Sequence, residues 1–302
     1  MKQLVILSGK GGTGKTSLAA AFAHLAFEGC VQTVLADGDV DAANLELVLQ
    51  PRRLEEHEFI GGSTAVIEAE LCQGCDICEQ VCRFEAISSP DSGHKNVYQV
   101  DPIACDGCAA CVYQCPEEAI YMQPQLAGHW FRSETHYGPL FHAELRPAQE
   151  NSGKLVTMVK QQARLLGLDT GAQVVIVDGP PGIGCPVISA VSGADLALIV
   201  AEPTAAGIHD MDRVLNLTKH FRVPTLVCIN KANLYPHGAN QIKDYCEQNY
   251  VEVVGSVPFD EIVTEAMLQG FPVTIYRPSA ASSRALVRIW DRIKKHLNGM
   301  KS

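Results

Sequence analysis

The sequence predicts an α/β protein, a doubly wound and mostly parallel sheet interrupted by a small α+β insert. Three observations carry that prediction. Short apolar runs recur at Gln3–Leu7, Thr33–Ala36, Val174–Val177, Leu196–Val200, Thr225–Ile229 and Val251–Val254, separated by helical stretches such as Ser17–Glu28, Lys154–Leu166 and Gly207–His220. Apolar strands alternating with helices are the pattern of parallel strands covered on both faces. A glycine-rich turn, Ser8–Thr16, joins the first strand to the first helix. Between residues 61 and 125 the alternation stops and cysteines recur instead. The expected division is residues 1–60 and 151–302 for the two parts of the α/β domain, 61–125 for the insert, and 126–150 for a connecting hairpin or lid.

The turn has a chemistry of its own. Gly9-Lys10-Gly11-Gly12-Thr13-Gly14-Lys15-Thr16 fits G-x-x-x-x-G-K-[ST] in the strand–loop–helix setting that gives this motif meaning. Its glycines let backbone N–H groups turn inward around phosphate oxygens, and the helix N-terminus adds partial positive charge. Gly11, Gly12, Thr13, Gly14, Lys15, Thr16 and Ser17 are the expected phosphate contacts. Lys15 is placed to reach the β- and γ-phosphates of ATP, and the Thr16 hydroxyl to ligate Mg²⁺.

The second lysine, Lys10, in Lys-Gly-Gly-Thr-Gly-Lys-Thr, resembles the deviant loop of the MinD/Mrp/nitrogenase iron protein group of P-loop ATPases. The resemblance extends through most of residues 1–50 and 150–278. It implies that Lys10 reaches across a homodimer to the partner's nucleotide, so that Lys10, Lys15 and Asp39 are the catalytic set. It implies that Asp39, in Asp37-Gly38-Asp39, orients the attacking water, and that Asn44 occupies a neighbouring switch position. Asp178, at a strand end before Gly-Pro-Pro-Gly, then joins Thr16 and Asp39 as the Mg²⁺ set. Asn230 falls where relatives read adenine, and Pro258 and Asp260 lie in the loop that closes over it.

The insert carries an internal repeat with an offset of 33 residues. Cys72, Cys75, Cys78 and Cys82 map onto Cys105, Cys108, Cys111 and Cys115, and both runs read C-x₂-C-x₂-C-x₃-C. Iron in a cubane cluster takes four thiolates. Three come from one run, and in two-cluster ferredoxins the fourth comes from the other. The expected [4Fe–4S] ligands are therefore Cys72, Cys75, Cys78 and Cys115 for one cluster, and Cys82, Cys105, Cys108 and Cys111 for the second. The insert is read accordingly as ferredoxin-like. Arg83 follows Cys82 where Pro116 follows Cys115, which weakens that turn without removing the ligand.

Charge narrows the partners. The formal net charge is -10, which argues against nucleic acid. Ten of the acids lie between residues 61 and 125, opposed there only by Arg83 and Lys95. An acidic cluster-bearing surface suits a partner protein with a basic docking face. With no long apolar run, no sign of export and cysteines spaced for metal, the chain reads as cytoplasmic. The final helical stretch, 279–297, reads as a terminal helix packed on the sheet rather than a membrane anchor. Cys185, Cys30, Cys228 and Cys246 read as packing thiols. The expected function is ATP hydrolysis coupled to electron delivery. One alternative is assembly or transfer of a metal cluster on a partner. The other is a positioning ATPase whose insert senses redox state.

Overall fold

The computed structural model describes residues 1–89, 97–146 and 152–300. They form two compact units. One comprises Met1–His57, His129–Glu144 and the described residues from Ser152 onward; the other holds Glu58–Gly128.

The first unit opens with β1 (Lys2–Ser8), α1 (Lys15–Glu28), β2 (Thr33–Asp37) and the short α2 (Leu45–Leu49). The long strand β3 (Arg52–Ile67) then leaves it. The second unit contains α3 (Ile77–Val81), β4 (Ile87–Ser88), β5 (Gln99–Val100) and α4 (Ala110–Gln114). A second long strand, β6 (Ile120–Thr135), returns the chain to the first unit, where β7 (Gly138–Leu145) follows. The remainder alternates α5 (Ser152–Thr170), β8 (Val174–Pro181), α6 (Cys185–Val191), β9 (Leu196–Ala201), α7 (Ala205–His220), β10 (Thr225–Ile229), α8 (Pro236–Gln248) and β11 (Glu252–Ser256). It closes with α9 (Glu261–Leu268), α10 (Val273–Tyr276) and α11 (Ala281–Gly299).

Nine strands make one sheet in the order β11-β10-β9-β1-β8-β2-β7-β6-β3. From β11 to β7 the pairing is parallel. The strand order reverses direction around β1, which makes the sheet doubly wound, and such reversals open a crevice at the carboxyl ends of the strands. The phosphate loop sits at that end of β1. The segment 126–150, expected as a hairpin or lid, supplies part of β6, the turn at His136-Tyr137, and β7. In the turn, the Thr135 hydroxyl donates to the Gly138 carbonyl at 2.7 Å and accepts from the Tyr137 N–H at 3.0 Å. Gly138 has φ of 130°, and a Cβ there would strike the Thr33 carbonyl of β2. The turn is thus drawn against the sheet, and β7 pairs with β2. Residues 147–150 of that segment lie outside the described residues, as do Asp91 and Lys95 of the insert.

Burial follows from composition. Helix α1 is alanine-rich, and Ala19 through Ala23 are at most 1% exposed. Such a helix can lie close against strands without a sharp polar face. Helix α11 is the opposite case. Its stripe of Leu286, Ile289, Trp290, Ile293 and Leu297 is at most 5% exposed and enters the main core, where Trp290 stacks on Phe22 of α1 with ring centroids 5.3 Å apart. Packing therefore accounts for that stripe. No described helix is long and apolar enough to cross a membrane. Cys228 and Cys246 are buried as expected, whereas Cys185 and Cys30 are exposed. Cys185 is the first residue of α6, and Cys30 sits in a left-handed turn with φ of 53° after α1. They are not packing thiols.

Candidate functional site: a phosphate-loop cavity and two cysteine cavities

The loop after β1 holds its shape through two left-handed glycines, Gly12 and Gly14, with φ of 74° and 95°. A Cβ on Gly14 would collide with the Asn230 amide. That contact is functional geometry: the Asn230 amide donates to the Thr13 carbonyl at 2.7 Å, and the Lys231 ammonium donates to the Gly12 carbonyl at 3.0 Å. The end of β10 thus braces the loop from below. Asn230, expected to read adenine, spends its amide nitrogen on this brace. Lys15 is buried and donates to the Ser8 hydroxyl at 2.9 Å, while Ser8 donates to the Lys10 carbonyl at 2.7 Å. Lys10 pairs with Glu202 at 2.7 Å, and Lys231 pairs with the other oxygen of Glu202 at 2.6 Å. Glu202, at the end of β9, had no motif to reveal it. Neither did Ser8.

A cavity of about 410 Å³ opens above the loop. Gly11, Gly12, Gly14, Lys15, Thr16 and Ser17 form its floor. Asp39 and Asn44 line one side; Asn230, Pro258, Phe259 and Asp260 line another, with Val263 and Met267 adding apolar wall. The volume suits a nucleotide. Asp260 also caps α9, accepting from the Ile262 N–H at 3.2 Å and from the Ser282 hydroxyl at 2.8 Å. Thr13 is buried in the loop with its hydroxyl unpartnered.

Three acids converge beside the loop and differ in what they have to spare. Asp37 is fully buried, with one oxygen accepting from the Asp39 N–H and the other from the Leu45 N–H, each at 3.0 Å. Asp178 is buried, and neither oxygen has a hydrogen-bond partner. Burial pushes its carboxyl up to about 6; the Thr16 hydroxyl and Lys15 oppose the shift, without an ordinary hydrogen bond, and Asp39 adds to it. Asp39 is also held above its usual value by burial, with Lys15 opposing. An orphaned buried carboxylate beside a threonine hydroxyl and a second acid is a donor set for a hard dication.

The sign of the Asp178 shift gives a pH prediction for the metal-free protein. A carboxyl raised from its ordinary value of 3.8 to about 6 binds its proton more tightly in the fold. Its contribution is stabilising below the unfolded value and is lost as pH rises through the window up to about 6. The full shift corresponds to at most about 3 kcal/mol. In EDTA, wild type should lose stability relative to Asp178→Asn across that window, read as the difference between their unfolding midpoints. Parallel curves would remove Asp178 as the titrating group.

The second unit preserves its sequence repeat in the backbone. Gly74 and Gly107 have φ of 71° and 72°, Asp76 and Ala109 of 60° and 61°, Glu85 and Glu118 of 52° and 50°. Helices α3 and α4 span positions 33 apart. A Cβ on Gly107 would strike the Ser63 carbonyl, so this turn needs glycine. The fold crosses the cysteine runs. Cys72, Cys75, Cys78 and Cys115 line one small cavity, and Cys82, Cys105, Cys108 and Cys111 line another. Cys78 and Cys111 are buried, and burial pushes Cys78 up to about 11 and Cys111 upward. Cys75 and Cys108 are exposed. Among the described residues, no group of three or more His, Cys, Asp or Glu stands where it could hold a single metal ion. The two quartets line small cavities of about 20 Å³ each instead.

Comparison with known proteins bears on nearly the whole chain. An uncharacterized protein of Methanocaldococcus jannaschii is 30% identical over 296 residues, 98% of this chain and 97% of that one. An iron-sulfur cluster carrier protein of Pyrococcus abyssi is 28% identical over 139 residues, 42% of this chain and 47% of its own length. The septum site-determining protein MinD of Pyrococcus horikoshii OT3, solved with Mg-ADP, shares the fold with a TM-score of 0.60 at 20% identity, over 100% of this chain and 98% of that one. The family model of the CobQ/CobB/MinD/ParA nucleotide binding domain matches residues 4–273. That span begins in β1 and takes in the braced loop and the end of β10, and the chain belongs to this family.

Proposed function

We propose that the chain is a dimeric ATPase that couples nucleotide turnover to electron transfer through two [4Fe–4S] clusters to a partner protein. One observation carries the reading: four thiols drawn from both cysteine runs surround each of two cavities, in a chain that also holds the braced phosphate loop. Thiolates in that number are the ligands of a four-iron cluster.

At the phosphate loop, the backbone N–H groups and Lys15 hold the β- and γ-phosphates of ATP. Thr16, Asp178 and Asp39 would hold Mg²⁺, which neutralises charge developing on the phosphates when bound. Asp39 orients a water toward the γ-phosphorus and takes its proton as the bond to the β,γ-bridging oxygen breaks. Lys10 leaves Glu202 and reaches the nucleotide of the other subunit. In the second unit, the eight cysteines would hold the clusters, which supply one-electron redox chemistry when bound. The thiols must lose their protons to do so, and a reducing, cytoplasmic setting keeps them from pairing as disulfides.

A second reading, cluster transfer to an acceptor, is favoured by the exposed Cys75 and Cys108 and by the carrier name of the partial relatives. One experiment separates the two. Anaerobic titration should give cluster midpoint potentials that differ with and without MgATP, a tenfold change in nucleotide affinity corresponding to about 59 mV for one electron. Potentials indifferent to MgATP, together with iron that passes to an apo-acceptor, would replace electron delivery with cluster transfer.

A further inference from the structure

The internal repeat provides its own control for the surface of the second unit. Positions 33 apart share backbone geometry, so a difference between mates is not required by the fold. Around Cys82, Cys105, Cys108 and Cys111, three apolar side chains stand two residues from a cysteine: Phe84 after Cys82, Ile103 before Cys105, and Tyr113 after Cys111. They are 43%, 87% and 85% exposed. Their mates beside the other quartet are Glu117, Glu70 and Gln80. Phe84 lines the second cavity where its mate Glu117 lines the first. Single exposed apolar residues are ordinary. Phe84 and Ile103 stand two residues from ligands of this quartet alone, Tyr113 stands two residues from both Cys111 and Cys115, and all three are polar at the mate, a difference that packing does not explain. Exposed acids flank them: Asp101, whose carboxylate accepts from the Ile103 N–H at 2.8 Å, and Asp106.

We infer that the surface over the cavity of Cys82, Cys105, Cys108 and Cys111 docks a redox protein presenting an apolar centre and a basic rim. This rests on the proposed electron-delivery reading and makes this quartet's cluster the one next to the partner. Apolar and aromatic anchors at the centre of an interface carry most of its binding energy, and complementary charge around them steers encounter. The acids are spread over both halves of the unit, and beside the other quartet the exposed apolar side chain is Leu71, 46% exposed next to Cys72.

The test uses the full chain with clusters in place and zinc-substituted cytochrome c, a basic and redox-inert probe. Binding is measured by calorimetry at low salt and at about 0.5 M salt, where charges beyond a few ångströms are screened. Replacing the anchors without changing charge, in Phe84→Gln/Ile103→Gln/Tyr113→Gln, should raise Kd about tenfold at both salts. The mirror variant Glu70→Gln/Glu117→Gln should weaken binding only at low salt. Iron content confirms that the clusters survive; if the triple variant loses iron, Ile103→Gln alone serves, since that side chain lines neither cavity. Absence of saturable binding to wild type, wild-type affinity in the anchor variant, or an equal loss in the mirror variant at high salt would each overturn the assignment. So would self-association of wild type that the anchor variant abolishes, because the occupant would then be a second copy. Electron transfer to native cytochrome c is read separately. Binding in the expected order with no electron passed would keep the surface and remove electron delivery.

Discussion

Cys82→Ser protein should hold about four iron atoms per chain where wild type should hold about eight, and the missing four should belong to the distant Cys105 run. Cys82 follows α3 in the first run, but the chain turns it toward the cavity of the second, as its mate Cys115 turns toward the first. Serine leaves three thiols in that cavity and a harder oxygen donor, a poor fourth ligand for a four-iron cluster. The loss should also loosen the unit. Its core is made of Ala65, Ile87, Tyr98, Ile120 and few other apolar side chains packed around cysteines. With clusters bound, so small a core should draw much of its stability from them. Double variants decide the crossing. Cys82→Ser with Cys75→Ala strikes both quartets and should leave almost no iron, whereas Cys82→Ser with Cys108→Ala strikes one and should leave about four. If each run closed on itself, the two results would exchange. Iron assay and electron paramagnetic resonance on anaerobic samples read the difference.

What the sequence revealed depended on whether a residue's neighbours along the chain carried the signal. The phosphate loop lies within one strand–turn–helix, so its glycines, lysine and threonine were legible at once. The cysteine runs were legible because spacing itself is the message. The sheet beyond β2 was not. Strand β3 begins Arg-Arg-Leu-Glu-Glu-His-Glu, an exposed outer strand whose charges mask any apolar alternation. Its place comes from pairing with β6, a partner more than fifty residues away. Glu202 was equally hidden. It follows an apolar strand as one acid among many, and only the fold brings Lys10 and Lys231 to its two oxygens. Asn230 shows the reverse limit. Its position was foreseen from the resemblance, but its hydrogen bond to the Thr13 carbonyl depends on how β10 meets the loop. Cys185 and Cys30 looked like packing thiols from composition alone. Their exposure follows from their places at the start of α6 and in the left-handed turn after α1, which composition does not show.

Asp39→Asn should lower the rate of ATP hydrolysis by about 10²–10⁴ while leaving nucleotide affinity within a few-fold of wild type. The expectation follows from dividing labour among the three acids. Asp37 has committed both oxygens to backbone N–H groups, so its replacement would disturb the turn into α2 rather than the chemistry. Asp178 is buried with both oxygens unpartnered, the posture of a group awaiting a cation. Only Asp39 of the three lines the nucleotide cavity. Burial holds its carboxyl above the usual value in the metal-free protein, with Lys15 opposing. Asparagine keeps the shape and a donor–acceptor pair but cannot accept the proton of an attacking water. Lys15→Ala is the contrast, because it removes the cation seated under the β- and γ-phosphates and should weaken binding itself. Equilibrium binding of a nonhydrolysable ATP analogue and steady-state phosphate release, measured on both variants, separate the two effects. Phosphate release by Asp39→Asn at the wild-type rate would take Asp39 out of the chemistry and leave the water to be oriented by another group.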